Sequence, residues 1–173
     1  MTSERKIQVM RMIKMSLFMP ADRDESAKFP VLLEYLPYRK DESRHSCFAM
    51  FSYFVVRGYV VARVDIRGTG TSEGKLVEYE YTDQEQEDAE VVIDWLSQQA
   101  WSAGKVGMFG ISWGAFNSIQ MAMRNPPALK AIVAIQGTDD LFHDDCHFID
   151  GMMHVDCYEF GQDIANILPA PPV

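Results

Sequence analysis

A serine lies between two glycines in "MFGISWGAF", residues 108–116, at the spacing Gly110-x-Ser112-x-Gly114. A serine hydroxyl becomes a nucleophile at neutral pH only when a neighbouring base accepts its proton. Placing it on a sharp turn from strand to helix holds Oγ clear of the backbone. The helix start then aims N–H groups at negative charge developing there. A side chain at either flanking position is expected to collide with the close-packed strand and helix, which the glycines avoid. The flanks agree, with "KVGMFG" patterned as a strand and "WGAFNSIQMAM" as a helix. The same spacing also suits an unreactive Ser112 that only caps the helix at a tight turn.

The elements that must carry this turn alternate between strand and helix. Residues 7–19 mix apolar and basic residues and are expected to give one or two early strands, and 21–30 a polar loop ending in Pro30. "VLLEYLP" (31–37) reads as a buried strand, and "SCFAMFSYFVVRG" (46–58) as a buried helix stopped by Gly58. "YVVARVDIRG" (59–68) is β-branched and reads as a strand. Residues 81–101 form the clearest helix, capped by Thr82 or Asp83, with an acidic start that suits the helix dipole. Its core stripe is Ala89, Val92, Ile93 and Leu96. Strand 105–110, helix 113–125 and strand 129–137 follow. This alternation implies an α/β fold with a mostly parallel sheet and helices on both faces.

At this level the sequence resembles a known family. "VLLEYLPYRK", "VVARVDIRGTGTSEG", "VVIDWLSQQAWSAGKVGMFGISWGAF" and "NPPALKAIVAIQGTDD" together, from about Pro30 to Asp140, resemble the X-Pro dipeptidyl-peptidase and cocaine-esterase family of α/β-hydrolases. The resemblance implies an acyl-enzyme on Ser112 and a small-molecule ester or X-Pro peptide substrate. It implies that Tyr38, from the "PY" motif, donates its hydroxyl to the oxyanion hole. Trp113, the residue after the nucleophile, supplies the second donor through its backbone N–H. Two preorganised donors stabilise a tetrahedral intermediate, and losing one typically costs about 3–4 kcal/mol.

In α/β-hydrolases the chain order is Ser, acid, His. Only 61 residues (173 less 112) follow Ser112, and strands able to carry the acid and base are not evident in them. The expectation is therefore a partial α/β-hydrolase fold, truncated before the last strands and weakly active or inactive by itself. Residues 1–140 would be the N-terminal part of the catalytic domain. Residues 141–173 would begin a helical cap and end in a loose Pro-rich tail. The alternative is a non-catalytic α/β-hydrolase-like fragment acting in binding or self-assembly, since an incomplete sheet leaves an unpaired edge and favours a homo-oligomer.

The histidines are His45, His143, His147 and His154, and those after residue 140 sit in an Asp-rich stretch. They read as solvated or cap residues rather than a substitute triad. His143 and His147 would share a helix face, with His154 and Cys157 following, a conceivable zinc set that matches no strong metal pattern. Asp139 and Asp140, after the last strand, read as solvated loop acids near the site mouth. "DIRGTGTSEG" (65–74) resembles a dinucleotide-binding turn, but "KLVEYEY" separates it from the next helix and that helix starts acidic. An NAD-binding oxidoreductase is thus a minor alternative. The resemblance makes 65–74 a structural turn, with Asp65 and Arg67 as an ion pair. No cofactor and no metal are expected.

The net charge of −9 argues against nucleic acid or an anionic membrane surface as partner. Apolar runs are too short to span a bilayer, no secretory leader is visible, and three scattered cysteines make no disulfide framework. A cytoplasmic protein is expected.

Overall fold

In the computed structural model, which describes residues 3–21, 24–42, 46–154 and 161–162, apolar β-branched runs form a sheet and amphipathic runs cover it. The order is α1 (Ser3–Met12), β1 (Met15–Phe18), β2 (Phe29–Leu36), a 3₁₀ turn (Lys40–Glu42), α2 (Ser46–Val55) and β3 (Val60–Asp65). Then come α3 (Asp83–Ser97), β4 (Ser102–Ile111), α4 (Trp113–Arg124), β5 (Leu129–Ile135) and a short hairpin, β6 (Phe148–Ile149) and β7 (Met152–Met153). The main sheet runs β1-β3-β2-β4-β5. Only β1 is antiparallel, against β3; the other three pairings are parallel. This is the expected α/β fold with a mostly parallel sheet.

Strand alternation assigns the two faces. Val31, Leu33 and Tyr35 of β2, Val60, Ala62 and Val64 of β3, and Val106 and Met108 of β4 bury one face. Against them pack Ala89, Val92, Ile93 and Leu96 of α3, the predicted stripe, with Trp113 and Met121 of α4 and Val9 of α1. Thr82 caps α3, its side chain accepting from the Glu85 N–H. On the opposite face α2 packs on β3, where Phe51 stacks on Phe18 and lies under the Arg63 guanidinium. Helices therefore cover both faces, but unevenly. Phe109 and Ile111 of β4 sit beside Val133 and Ile135 of β5 in register on the α2 side. Ile111, Val133 and Ile135 are 46%, 58% and 48% exposed.

Three local expectations are corrected. Of the one or two strands expected in residues 7–19 one forms, Met15–Phe18, while the residues up to Met12 belong to α1 rather than to a strand. Val9 and Ile13, four apart, are buried, and Arg5 and Lys6 pair with Glu87 and Asp94 of α3. Helical spacing toward α3 thus overrides the strand pattern. The loop expected to reach Pro30 ends earlier, because β2 starts at Phe29. Its register against β4 shifts between Phe29 and Val31, a bulge that accommodates a proline lacking an N–H. Residues 141–154, expected to begin a helical cap, form turns and the β6–β7 hairpin instead. Most of the tail, with Cys157, lies outside the described residues. Among the described residues no helix is long and apolar enough to cross a membrane.

A buried charge pair ties β2 to β3. Arg63 Nε donates to Glu34 Oε2 at 2.5 Å, and both side chains are nearly inaccessible. Glu34 has its carboxyl raised by burial, opposed by the charge and hydrogen bond of Arg63. Removing one partner of such a pair strands the other charge. Arg63→Ala is expected to lose about 3–5 kcal/mol in urea denaturation. Lys75→Ala, in an exposed pair with Glu78, should stay within about 0.5 kcal/mol.

Candidate active site

Ser112 sits alone between β4 and α4, with φ 53° and ψ −121°, a conformation that strongly disfavours a side chain. Three backbone bonds hold it there. Its N–H donates to Ile135 O at 2.9 Å, and its carbonyl accepts from Ala115 and Phe116 at 2.7 and 3.1 Å. The serine side chain makes no capping bond to the helix. The two glycines differ. A Cβ on Gly110 would lie 2.4 Å from Gly114 C, whereas one on Gly114 would meet nothing nearer than Tyr35 O at 3.8 Å. The expectation of a collision at both positions is corrected: only Gly110 is sterically required. Gly137, unnoticed in the sequence, is a second such point, its Cβ falling 2.7 Å from Ala115 Cβ.

Tyr38 reaches this corner from the loop after β2. Its hydroxyl accepts from the Trp113 backbone N–H at 3.3 Å and shares a hydrogen bond with Ser112. The three candidate residues, Ser112, Tyr38 and Trp113, are thus brought together. Burial pushes the Tyr38 phenol above its ordinary value of 10, outweighing the lowering by its bonds with Ser112 and Trp113. The hydroxyl is therefore protonated and able to donate.

A polar network anchors the Tyr38 loop. The Lys40 N–H donates to Asp65 Oδ1, and Arg63 Nη1 donates to Lys40 O, both at 2.6 Å. Asp65 Oδ2 also accepts from the Thr71 N–H at 2.9 Å, drawing in the glycine turn. Gly70 permits this: a Cβ there would lie 2.2 Å from Asp65 Oδ2. The expected Asp65–Arg67 pair is not formed. Arg67 instead makes a two-point bond to Asp88 of α3, 2.7 Å on each arm, with Asp88 fully buried. The glycines of 65–74 serve this turn, which does not open into a helix.

Trp113 is held from the α3 side. Glu85, 1% exposed, accepts on Oε1 from Trp113 Nε1 at 2.8 Å and Asn117 Nδ2 at 2.7 Å. Its Oε2 is buried without a hydrogen-bond partner. Burial raises its carboxyl to about 7, against the lowering by Asn117 and Trp113. The sequence held a signal for Glu85 that went unread: it falls on the buried stripe of α3, four residues before Ala89. Tyr81, at φ 63°, packs on the edge of Trp113 and against Phe116.

A cleft of about 360 Å³ opens beside the serine, lined by Ser112, Phe116, Gln136, Gly137, Thr138, Asp144, Asp145 and Cys146. Two of the histidines are otherwise engaged. His143 Nδ1 lies 2.8 Å from Asp140 Oδ2, and His147 Nε2 lies 2.8 Å from Glu80 Oε2. Asp139 and Asp140 are exposed. The supposed helix face of His143 and His147 is absent because residues 141–147 are turns and an isolated bridge. Asp145, Cys146 and His147 instead bring their ligand atoms within 4.8 Å of one another. His45 and Cys157 lie outside the described residues.

Two stability predictions follow from this packing. Gly110→Ala should cost at least about 4 kcal/mol in urea denaturation, or prevent folding. Gly114→Ala should stay within about 1 kcal/mol of the parent, since alanine suits a helix. Glu85 has a folded value of about 7, above its ordinary 4.5. Its protonated form is thus favoured by folding, and that stability is present below pH 4.5 and lost as pH rises through 7. The difference amounts to about 3 kcal/mol. Glu85→Gln should flatten this segment of the stability–pH curve.

With this geometry in place, comparison with known proteins gives a consistent answer. Residues 11–169 match the family described as X-Pro dipeptidyl-peptidase (S15 family). Cocaine esterase of Rhodococcus sp. (strain MB1 Bresler) is 34% identical over 128 residues, covering 69% of this chain and 21% of that protein. A putative Xaa-Pro dipeptidyl-peptidase of Streptomyces avermitilis is 28% identical over 170 residues, 80% of this chain and 24% of that one. A CocE/NonD family hydrolase from Staphylococcus aureus superposes with a TM-score of 0.76 at 28% identity, over 90% of this chain and 30% of that one. The chain thus spans only between a fifth and a third of the length of these relatives. Over that span the fold is the N-terminal part of an α/β-hydrolase, and the chain belongs to the X-Pro dipeptidyl-peptidase (S15) family.

Proposed function

We propose that this chain carries the nucleophile and the anion-stabilising half of a serine hydrolase for ester or X-Pro peptide bonds. Ser112 Oγ attacks the carbonyl carbon, and the Tyr38 hydroxyl and Trp113 N–H receive the charge on the carbonyl oxygen. The C–O or C–N bond then breaks, the leaving group takes a proton, and an acyl-enzyme remains for water to cleave. The observation that carries this reading is the meeting of Tyr38 and Trp113 at Ser112, on a backbone corner that projects the serine. The cleft adds a selectivity. Its two carboxylates, Asp144 and Asp145, favour a substrate with a cationic or neutral group near the carbonyl over an anionic one.

As this chain stands, turnover is proposed to be weak or absent. The described partner of Ser112 is Tyr38, a phenol that burial keeps protonated and that cannot accept the serine proton. Asp144 and Asp145 line the same cleft, but among the described residues neither is hydrogen-bonded to Ser112. A cytoplasmic setting suits Cys146, which is in no disulfide. A second reading, a non-catalytic fragment that binds or self-associates, is favoured by one observation. Among the described residues β5 pairs along one edge only, beside the exposed Ile111, Val133 and Ile135. Light scattering should then give a mass above one chain's 19.7 kDa, and a clean monomer would remove that reading.

The catalytic reading is tested with a fluorophosphonate probe and an activated ester. Labelling should be slow, map to Ser112 by mass spectrometry, and fall roughly 10²–10³-fold in Tyr38→Phe. Labelling that persists in Ser112→Ala would overturn the nucleophile. Rapid labelling and ester turnover, both lost in Ser112→Ala, would keep the nucleophile and overturn only the proposed weakness.

A further inference from the structure

A carboxylic acid lies buried behind the residue that carries one of the two anion donors. Glu85 accepts the Trp113 indole N–H, while the backbone N–H of the same Trp113 faces the Tyr38 hydroxyl. That second contact is 3.3 Å, near the outer limit of a hydrogen bond, where a few tenths of an ångström decide its strength. A tryptophan anchored at its ring nitrogen cannot tilt without moving its backbone. Asn117, one turn further along α4, is tied to the same Oε1 at 2.7 Å, so the first turns of the helix move with Glu85. On the other side of Trp113, Tyr81 packs on its indole and on Phe116, a wall of the cleft.

We propose that Glu85 is a positioning residue for the anion-stabilising corner, setting where the Trp113 N–H points through its hold on the indole. This rests on the reading that Trp113 and Tyr38 stabilise an oxyanion at Ser112. Anchoring an indole requires only a neutral acceptor, yet the chain places an ionisable group there with one oxygen unpartnered. Such a group is costly to bury, and a neutral isostere would serve packing as well. Its protonation state also matters to the corner. A carboxylate adds a like charge beneath the developing oxyanion, whereas the neutral acid does not.

The groups facing Glu85 come from every side. Tyr35 of β2 donates its hydroxyl to the Glu85 carbonyl at 3.2 Å, and Asp88, paired with Arg67, lies near that phenol. Glu80, paired with His147, raises the Glu85 carboxyl by like charge from the segment before α3, where Tyr81 also packs. From α4 the neighbours are neutral, Trp113 and Asn117, and Gln86 bonds Asn117 and Gln120 alongside.

The test is a ¹⁵N NMR titration of the whole chain between about pH 5.5 and 8.5, bracketing the Glu85 midpoint of about 7. The Trp113 indole N–H and the Trp113 backbone N–H are expected to shift together with one common midpoint. The indoles of Trp95 and Trp101 should show no such step, and Glu85→Gln should abolish it at Trp113. A backbone N–H that stays still while the indole titrates would overturn the proposal, as would a step surviving in Glu85→Gln. Should that variant not fold, Trp113→Phe serves. Losing a donor that favours the charged form should raise the midpoint read at the position-113 amide, and an unmoved midpoint would overturn the proposal. None of these signals requires hydrolysis. Failure of Ser112 labelling and failure of the Glu85 coupling are therefore separate outcomes.

Discussion

A serine at φ 53° and ψ −121° cannot rest there unaided. The conformation costs on the order of 1–3 kcal/mol, so the surroundings must over-determine it. They do so by excluding the alternatives. Gly110 lets α4 approach the end of β4 until no Cβ fits between them, and Gly137 lets the end of β5 close on Ala115. Ile135 O takes the Ser112 N–H, fixing the turn from the β5 side. Relaxing the serine would mean separating α4 from two strands of a packed sheet. The strain is concentrated around one place. Of the six described non-glycine residues with positive φ, Arg39, Tyr81, Ser112 and Gln136 all border the cleft or its two donors.

Two separate polar networks stand behind the two donors, and their chemistry differs. Tyr38 is placed through its backbone. Asp65 and Arg63 grip the Lys40 N–H and C=O, so the loop two residues beyond the tyrosine is fixed at both polarities. This network lies on the α2 side of the sheet and is built around an ion pair, with Arg63 closing it onto Glu34. Trp113 is placed through its side chain, from the opposite face, by a carboxyl that burial lifts to about 7. The sheet therefore separates a charged support from one that can become neutral. The neutral option sits under the donor contributed by the helix start, where negative charge would collect.

How much of this was visible in the residues depends on the range of the interaction. Ser112, Gly110 and the flanking strand and helix were legible because a turn is a local object, its steric demand written in adjacent residues. The stripe of α3 and the β-branched runs were legible through their periods. The helix up to Met12 was not legible because Val9 and Ile13 satisfy both a strand-like and a helical pattern. The choice belongs to α3, some eighty residues away, which offers Glu87 and Asp94 to Arg5 and Lys6. The same distance hid the partners of Asp65 and Arg67. Residues two apart in a strand share a face, but β3 ends at Asp65 and the chain turns there, so Arg67 is carried to Asp88 of α3 while Asp65 takes the Lys40 and Thr71 N–H groups. Glu85 was read as a dipole-matching acid at a helix start, although its place on the apolar stripe already implied burial.

What the arrangement can do chemically follows from which half of acyl transfer it serves. On the proposed reading, two donors beside Ser112 would lower the energy of a tetrahedral anion once it exists, without moving a proton. Forming that anion requires the serine to lose its proton, and a buried phenol with a raised affinity for its own proton is the wrong partner for that step. The two tasks are separable: donors and binding alone retain a residual catalysis when a triad is removed. On the proposed reading the electrostatic half of the site is held by residues up to Gly137, because β3, α3 and β5 brace the corner that β2, β4 and the start of α4 form. A proton acceptor adds to such a corner without rebuilding it, since each donor already has its own support on its own face of the sheet.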